Sequence, residues 1–527
     1  MMGHLIVLPI LVPLFTGLVL LLNRNGSATP RRIVGLTATT LLVLISAVLV
    51  AQSTDDIIRY YALGDWQPPF GIILVLDRLS AMMVMLTSIL ALGSLLFASA
   101  GGDEEGSNFQ GLFQLQLVGI NGAFLTGDLF NLFVFFEVLL IASYSLLMHG
   151  GGKARIHSCF HYVALNLAGS ALFLIGVGVL YGALGTLNMA DMAARVAELD
   201  GDRQALVQAG ALLLLVVFGL KAAMLPLYFW LPRAYAAAPA PVAALFAIMT
   251  KVGIYSIIRV FTLIFGPQAG PLAGLAQPWV WWLSLATLAL GGIGVLSARD
   301  LRTQVAYLIV LSVGTLLAGV GMNSVAANGA LLFYLIHTTL VTGGLFLLAD
   351  IISVQRGKAG ARIVRGRAIH QIALLGSLFL LAAMTVAGVP PFSGAIGKAL
   401  LLQSASPSQQ LWLWPILLIS SLAAIVALSR TGSTLFWRAS GGDRSGEKSD
   451  KSDKSEKADK ADKADRGERN AGPLRIAGLV LLLGASPLLS LFAGPLTEFT
   501  HATAEQLADH EAYLQAILER NSMGDDT

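Results

Sequence analysis

Long apolar runs separated by short polar connections constrain this chain more than any other feature. A helix needs about 20 apolar residues to cross the hydrocarbon core of a bilayer, where its own hydrogen bonds satisfy the peptide groups. The chain of 527 residues is 56% hydrophobic and 12% charged, whereas soluble domains carry about 25% charged residues. The runs therefore predict an all-α polytopic membrane protein. The net charge of +3 is too small to indicate a nucleic-acid partner.

Fourteen stretches satisfy the length rule, so the sequence predicts about fourteen transmembrane helices. No Lys or Arg precedes the first apolar run and no small-residue cleavage site follows it, which distinguishes this run from a signal peptide. The predicted spans cover residues 4–22, 32–52, 72–98, 110–127, 129–149, 160–182, 206–231, 240–264, 278–297, 302–322, 327–353, 369–403, 410–436 and 474–493.

The charges of the connections predict how these helices are oriented. Lys and Arg concentrate in the odd-numbered connections, with five of them in residues 354–368 after the eleventh span. The positive-inside rule then places the odd-numbered connections in the cytoplasm and both termini on the exterior, periplasmic side. The acidic connection at residues 101–108, which has no Lys or Arg, does not fit this pattern. The acidic tail at residues 497–527 is predicted to form an exterior amphipathic helix.

Five ionisable side chains lie near the middle of predicted spans, where a charge costs about 2.5–3.5 kcal/mol on insertion scales. For Glu137 and Lys221 the alternative is a static ion pair that joins two helices, and for His337 the alternative is a role in helix packing. The other two lysines have no evident acidic partner at matching depth, so they can exchange a proton as a relay requires. The five residues are Glu137, Lys221, Lys251, His337 and Lys398.

Two of the lysine-bearing spans are also interrupted by proline. Pro226 follows the buried lysine of the seventh span, and Pro390, Pro391 and Gly394 precede the buried lysine of the twelfth. Proline breaks a helix, and the freed carbonyls need protein or water around them at membrane depth. The two interrupted spans are five spans apart, which favours two inverted five-helix repeats of the kind found in transporters. Proline kinks without a repeat are the alternative.

The predicted organisation follows from these repeats and from one low-complexity segment. Residues 443–469 contain nine acidic and nine basic residues in a triplet pattern, which predicts a solvated loop because it cannot bury a core. A partner-docking arm is the alternative for this segment. The predicted units are helices one to three (1–109), a first repeat of helices four to eight (110–264), a second repeat of helices nine to thirteen (278–437), a charged cytoplasmic loop (438–473), and a final helix with an acidic exterior tail (474–527).

Two weaker patterns do not indicate a cofactor or a metal. The sequence HGGGKAR at residues 149–155 resembles part of a nucleotide-binding loop, but the first glycine is absent and Ala154 replaces the required Ser or Thr. His157 and His161 flank Cys159, the only cysteine, but no further ligands follow at metal-binding spacing. The sequence therefore predicts no bound cofactor, no metal site and no catalytic residues of an enzyme.

Several stretches resemble one known family over residues 4–495. The segments FGLKAAMLPLYFWLPRAYAAAPAPVAALFAIMTKVGIYSIIRV and GVPPFSGAIGKALLL are similar to the core of the antiporter-like membrane subunits. These subunits are shared by respiratory complex I, membrane-bound hydrogenases and the Mrp (also called Mnh, Pha or Sha) cation/proton antiporters. The stretch LFQLQLVGINGAFLTGDLFNLFVFFEVLLIASYSLLMHG is most similar to the D-type subunit of the Mrp antiporters.

The resemblance implies a role for each of the five buried residues. Glu137 and Lys221 resemble the family's ion pair, Lys251 its bridging residue, and His337 with Lys398 the relay of a second half-channel. The implied function is that of one subunit of a Na⁺/H⁺ or K⁺/H⁺ antiporter in a bacterial inner membrane. The implied partners are an A-type Mrp subunit and small membrane subunits. A proton-pumping arm subunit of complex I or of a hydrogenase is the alternative, and a scaffold with structural charges is a third.

Overall fold

The computed structural model describes residues 3–23, 26–199, 201–437 and 470–519, which are mostly helical. The charged repeat at residues 443–469 lies outside the described residues, so the loop proposed for it stays a prediction. The α-helices are α1 Leu8–Leu22, α2 Ala28–Ser53, α3 Arg78–Ala98, α4 Phe109–Leu125, α5 Leu129–Leu147, α6 Lys153–Leu184, α7 Met189–Ala197, α8 Gly201–Ala222, α9 Trp230–Ala237, α10 Ala240–Phe246, α11 Met249–Leu263, α12 Gln277–Ser297, α13 Leu301–Met322, α14 Val325–Arg356, α15 Ile372–Ala387, α16 Ser393–Ser404, α17 Pro407–Gly432, α18 Pro473–Leu483, α19 Ala485–Leu491, α20 Ala493–Ala508 and α21 His510–Leu514.

These helices confirm the prediction of an all-α polytopic membrane protein. Within the described ranges, 11 helical segments are long and apolar enough to cross a membrane, and α1 and α15 are shorter apolar helices. The segment formed by α10 and α11 and the helix α14 are fully buried along their apolar windows, whereas only 39% of the window is buried in each of α2, α6 and α17. The buried helices therefore form the centre of the bundle, and the exposed ones face the lipid or a partner. The figure of about fourteen crossings stays a prediction.

A short antiparallel hairpin is the exception to the helical architecture. Strand β1 (Arg59–Ala62) pairs with strand β2 (Ile73–Leu76). The predicted span at residues 72–98 is therefore wrong at its start, because its first residues are extended and α3 begins only after Asp77. Apolar β-branched residues in β2 were indistinguishable from the beginning of an apolar helix in the sequence.

A buried ion pair fixes the beginning of α3 and connects it to two other parts of the chain. The Asp77 carboxylate caps α3 by accepting a hydrogen bond from the Ser80 amide (2.8 Å). It also pairs with Arg259 of α11, with 2.6 Å between Oδ2 and Nη1, and both side chains are less than 5% exposed. The rings of Tyr255 and Tyr513 lie 5.4 and 5.7 Å from the guanidinium carbon. The pair thus joins α3, α11 and the C-terminal α21.

The helix pairs α4–α5 and α12–α13 are held by equivalent contacts. Asp128 caps α5 and Asp300 caps α13, and in each case the next backbone amide donates to a carbonyl of a later connection. A Cβ atom on Gly119 would lie 2.5 Å from the backbone nitrogen of the facing leucine, and one on Gly291 would lie 2.6 Å from its counterpart. Both crossings therefore require glycine. Asp128 and Asp300 are separated along the chain by the same number of residues as Gly119 and Gly291.

Two spans are interrupted within the membrane part, between α8 and α9 and between α15 and α16. The backbone enters the left-handed region at Ala223 (φ 62°) and at Gly388 (φ 84°), each directly after the end of a helix. Pro226 lies in the first interruption, and Pro390 and Pro391 lie in the second. Each span therefore consists of two helices joined by a non-helical segment, where some backbone groups need partners from outside the helix.

The acidic connection that did not fit the charge rule lies beside two basic ones. Asp103 and Glu104 both pair with Arg32 of α2, each with 2.6 Å between nitrogen and oxygen. Glu105 lies 3.7 Å from Arg155 at the start of α6. These connections share one face of the protein, where their charges compensate one another. Which face is cytoplasmic stays a prediction.

The described part of the C-terminal tail, up to residue 519, is helical, and α20 packs back onto the membrane part. Its exterior position stays a prediction. Gln506 accepts a hydrogen bond from the Arg78 amide (2.9 Å) and donates one to the Asp56 carbonyl (3.2 Å). The Phe499 ring lies 5.5 Å from the Arg78 guanidinium carbon. The tail therefore covers the face on which α3 begins.

We expect Arg259→Gln to destabilise the protein by about 3–5 kcal/mol, because the substitution leaves the Asp77 carboxylate buried without its partner. The measurement is thermal unfolding of the assembled complex in detergent. The matched control is Arg195→Gln, which breaks the more exposed Arg195–Asp191 pair and should cost about 1 kcal/mol or less. Adding Asp77→Asn to Arg259→Gln should restore part of the loss. Equal melting temperatures for the two single variants would contradict this role.

Candidate functional site

The five predicted side chains lie on α5, α8, α11, α14 and α16, which are linked into one packed series through α6 and α10. Helix α5 packs on α6, α6 on α8, α8 on α11, α10 on α14, and α14 on α16. Four of the five side chains are buried, with exposures of 5% for Lys221, 0% for Lys251, 1% for His337 and 6% for Lys398. Glu137 of α5 is partly exposed. The structure thus brings the five residues onto helices that follow one another in this packed series.

The first two charged groups are connected through α6 and do not form the predicted direct ion pair. The Lys221 amine donates to the Asn166 side-chain oxygen (2.9 Å), and the Ser170 hydroxyl donates to the Glu137 carboxylate. Among the described residues, no contact within the 4.0 Å limit for a salt bridge joins Glu137 to Lys221. Each group is held by a polar side chain of α6 instead, although α5 and α8 also touch directly through Phe136 and Phe218. The amine also lies 5.8 Å from the centre of the Phe136 ring.

Asn166 and Ser170 are the functional candidates that the sequence analysis missed. They are one helical turn apart on α6, so both project from the same side of that helix. Neutral polar residues cost little in a transmembrane helix and do not stand out as charges do. The signal that could have found them is their spacing of four in an otherwise apolar stretch.

Lys251 is the least satisfied polar group of the series. Its Nζ atom is buried and has no hydrogen-bond partner within the described residues, and the same holds for Thr250 Oγ1 and Gln116 Oε1. The Gln116 amide donates to Met249 Sδ (3.4 Å), so Gln116 of α4 lies against the first turn of α11. Buried polar atoms nearly always have a partner, which is often an ordered water. The buried Lys251 amine therefore fits a hydrated position.

Gly253 brings this lysine's helix directly against the first interruption. A Cβ atom at Gly253 would lie 2.5 Å from the backbone nitrogen of Ala222, the last residue of α8. Only glycine permits this approach. Lys251 lies two residues before Gly253 on α11, so it belongs to the helix that packs directly against the one carrying Lys221.

His337 belongs to a buried chain of hydroxyl groups. Its Nδ1 atom lies 2.9 Å from the Ser393 hydroxyl, which lies 2.9 Å from the Ser486 hydroxyl. The Thr385 hydroxyl joins this chain at 3.1 Å from Ser486. Each group can both donate and accept, so the chain can reorient to pass a proton. Gly394 was predicted to be part of the helix break, but it lies in the first turn of α16, where a Cβ atom would lie 1.9 Å from the Thr385 carbonyl oxygen.

Lys398 satisfies the backbone groups that the second interruption leaves unpaired. Its amine donates to the carbonyl oxygens of Val386 (3.1 Å) and Ala387 (3.0 Å) and to the Ser421 hydroxyl (3.0 Å). An ammonium group has three donors, and all three are used. The positive charge also lies at the C-terminal end of α15, where the helix dipole favours it. The arrangement therefore fits the protonated lysine and connects its charge to the geometry of the break.

Comparison with known proteins agrees with this geometry. Residues 126–424 match the family described as NADH:quinone oxidoreductase/Mrp antiporter, TM. The chain is 41% identical to the D-type subunit of a probable K(+)/H(+) antiporter of Rhizobium meliloti, over 98% of each chain. It is 36% identical to the D-type subunit of a Na(+)/H(+) antiporter of Bacillus subtilis, over 98% of this chain and 100% of the other. These relatives are antiporter subunits.

Solved structures show the same fold. A chain of the Mrp complex from Dietzia sp. DQ12-45-1b is 27% identical and superposes with a TM-score of 0.83, over 98% of this chain and 99% of that chain. A chain of respiratory complex I from Thermus thermophilus is 24% identical, with a TM-score of 0.77 over 96% of this chain and 99% of that chain, and this likeness shows the fold alone. The chain therefore belongs to the NADH:quinone oxidoreductase/Mrp antiporter family and, within it, to the D-type antiporter subunits.

Proposed function

We propose that this chain is the subunit of a Na⁺/H⁺ or K⁺/H⁺ antiporter complex that provides a proton path through the membrane. The observation that carries the proposal is the series of four buried ionisable groups in an otherwise apolar interior, with the partly exposed Glu137 at one end. The four are Lys221, Lys251, His337 and Lys398. Buried ionisable groups are costly in a membrane and mark ion or proton pathways. The D-type relatives act on Na⁺, K⁺ and H⁺ by name, which supports the same cargo here.

Asn166 and Ser170 give the first part of the path two alternative arrangements. In one arrangement, seen in this structure, Lys221 donates to Asn166 while Ser170 holds Glu137. In the other, Lys221 leaves Asn166 and pairs with Glu137 directly. The direct pair stabilises the ammonium form, whereas the neutral Asn166 stabilises it less. Lys221 therefore retains its proton in the paired arrangement and releases it toward Lys251 in the arrangement seen here.

The second part of the path runs from Lys251 through His337 to Lys398. Lys251 has no fixed partner among the described residues, so it can accept a proton from Lys221 through water and pass it on. The hydroxyl chain beside His337 provides further exchangeable protons. When Lys398 loses a proton, one of its three acceptors loses a donor, so each transfer there alters the hydrogen bonding at the end of α15.

The outer surface of α5 and α6 is where a partner protein would bind. Ile141 and Leu167 are 63% exposed, and Ile175 is 56% exposed, so this surface is strongly apolar. Glu137 nevertheless reaches the same surface, and a carboxylate facing lipid is unfavourable. A neighbouring membrane protein of the complex, either the A-type Mrp subunit or one of the small membrane subunits, would shield it. We place the complex in the bacterial inner membrane, with both termini of this chain on the exterior side.

Two related halves account for the equivalent contacts of α4–α5 and α12–α13. We assign the first to residues 110–264 and the second to residues 278–437, each with five spans and one interrupted span. The equal interval between Asp128 and Asp300, and between Gly119 and Gly291, supports this assignment. An odd number of spans in each half makes the second half enter the membrane from the opposite side.

Lys221→Ala and Glu137→Ala should each lower cation-driven proton exchange by roughly tenfold or more, equal to a barrier increase of about 1.4 kcal/mol. The reason is that each substitution removes one member of the Glu137–Lys221 pair, and the forming and breaking of this pair controls the proton on Lys221. The measurement is the pH change on addition of Na⁺ or K⁺ to vesicles that contain the assembled complex. Cys159→Ala, a buried change outside the path, is the control and should retain exchange. Full exchange in both charge variants would exclude the proposed path.

Asn166→Leu should shift the pH for half-maximal exchange to higher values and lower the maximal rate several-fold. Without Asn166, Lys221 has only Glu137 as a polar partner, so its ammonium form is favoured and proton release requires more alkaline conditions. The measurement is the pH profile of exchange in the same vesicles. Ser145→Ala on α5, whose hydroxyl bonds only to its own helix, is the matched control. An unchanged profile in Asn166→Leu would show that α6 is a spacer and not part of the switch.

A further inference from the structure

Three buried amide side chains form a row on the face of α4 that packs against α1 and α2. Gln110 is 4% exposed, and Gln114 and Asn121 are 0% exposed. Their spacing of four and seven residues places them on one side of a helix. The row extends over about 16 Å of α4 at the usual rise per residue. None of the five residues of the proposed proton path lies on these three helices.

Each side-chain oxygen of this row lacks a hydrogen-bond partner within the part of the chain that the structure describes. The unpaired atoms are Gln110 Oε1, Gln114 Oε1 and Asn121 Oδ1. The nitrogen of each amide donates to a carboxylate or a backbone carbonyl, and these groups only accept, so oxygen and nitrogen cannot exchange places. Buried polar atoms rarely remain without a partner. The row therefore fits a ligand that binds to oxygen.

The two glutamine side chains converge on Gly35 of α2. A Cβ atom at this position would lie 2.5 Å from Gln110 Oε1, so only glycine leaves space for that oxygen. The Gln114 amide donates to the Gly35 carbonyl (3.3 Å) and to the Thr39 hydroxyl (3.0 Å). Two unpaired amide oxygens and a hydroxyl oxygen therefore lie together where α2 meets α4.

The outer end of this contact between α2 and α4 is acidic. Asp103 accepts a hydrogen bond from Gln110 (3.0 Å) and pairs with Arg32, which also pairs with Glu104. Two carboxylates and one guanidinium leave one net negative charge. The Glu104 side chain is 52% exposed, so this charge reaches the surface. Helices α1 and α4 themselves contain no Lys, Arg or His.

Neutral oxygens beside an acidic entrance suit a monovalent metal cation. Carbonyl oxygens replace the hydration shell of K⁺ in channels and coordinate Na⁺ in transporters. The lysines of the proton path are unsuitable for this purpose, because their positive charges repel a metal cation. An amide neither gains nor loses a proton near neutral pH, so the row on α4 cannot relay protons in turn. The two ions therefore have chemically distinct surroundings in the same chain.

We propose that Gln110 and Gln114 bind a monovalent metal cation, Na⁺ or K⁺, where α2 meets α4. The Thr39 hydroxyl is a further oxygen beside them, and the cation enters past Asp103. Asn121 continues the row of oxygens toward the other end of α4. The inference rests on the proposed function for the identity of the cation. It adds a metal-cation site that is separate from the buried lysines.

Two substitutions of Gln114 distinguish cation binding from packing. Gln114→Leu and Gln114→Glu both remove the amide that donates to Gly35 and Thr39, but only glutamate keeps an oxygen ligand. Gln114→Leu should raise the half-saturating concentration of Na⁺ or K⁺ for exchange roughly tenfold, whereas Gln114→Glu should keep or lower it, because a carboxylate attracts a cation more strongly than a neutral amide. An equal rise in both variants would indicate a structural role and overturn the proposal.

Gln116→Leu is the matched control, because it removes a buried amide from the opposite face of α4, where Gln116 donates to Met249. It should leave the half-saturating cation concentration unchanged. Gly35→Ala should raise this concentration several-fold, since the added Cβ atom displaces Gln110 Oε1. Wild-type values in both Gln114→Leu and Gly35→Ala would contradict the site, and so would a rise in Gln116→Leu as large as that in Gln114→Leu.

A measurement without transport separates this site from the proton path. Na⁺ or K⁺ should raise the melting temperature of the assembled complex above its value in N-methylglucamine at equal ionic strength, because a bound ligand stabilises the folded state. Lys221→Ala, which should lose exchange, should keep this rise. Adding Gln114→Leu to Lys221→Ala should reduce the rise, whereas adding Gln116→Leu should not. An equal rise with and without Gln114→Leu would show that the cation binds elsewhere in the complex and would overturn the proposal, whatever the outcome for Lys221.

Discussion

The free-energy cost of a charge in an apolar interior organises this structure. The buried ionic groups differ in how many polar partners stabilise their charge. This number separates the structural charges from those that can exchange a proton. Asp77 and Arg259 form a close pair with further contacts to Ser80 and two tyrosine rings, so neither has reason to change state. Lys398 has three acceptors, Lys221 has one, and Lys251 has none within the described residues. The number of polar partners thus decreases from the Asp77–Arg259 pair to Lys251. The groups with the fewest partners are the ones suited to exchange a proton.

Backbone carbonyl groups at both helix interruptions need hydrogen-bond donors, and each interruption obtains them from a different kind of side chain. At the first, the indole of Trp230 satisfies the Leu220 carbonyl, so the backbone is stabilised by a group that cannot titrate. At the second, the amine of Lys398 satisfies the carbonyls of Val386 and Ala387. Proton loss from Lys221 therefore leaves its break intact, whereas proton loss from Lys398 weakens the hydrogen bonding of the break itself. The two halves share an architecture, but only the second couples the charge of its lysine to backbone geometry.

The sequence was sufficient to locate these charges but not to pair them. An ionisable residue in an apolar run stands out because of its cost, and proline reveals an interruption because it lacks a donor. The partners are harder to identify, since they come from helices distant in the chain. Asp77 follows a short strand that resembled the start of a helix, and its link to Arg259 exists only once α3 and α11 are packed. Asn166 carries no charge, so nothing marked it as the acceptor that separates Lys221 from Glu137.

The two hydrogen bonds that α6 makes with Lys221 and Glu137 have a consequence for exchange. A permanent Glu137–Lys221 pair would hold the proton too firmly, and a lysine without any partner would lose it to whichever side offered water. Asn166 provides an intermediate level of stabilisation. An antiporter must also keep its two ions from moving together through one open path. A lysine that exchanges Asn166 for Glu137 meets that requirement for the proton, because it passes the proton on by a change of partner and needs no continuous open channel.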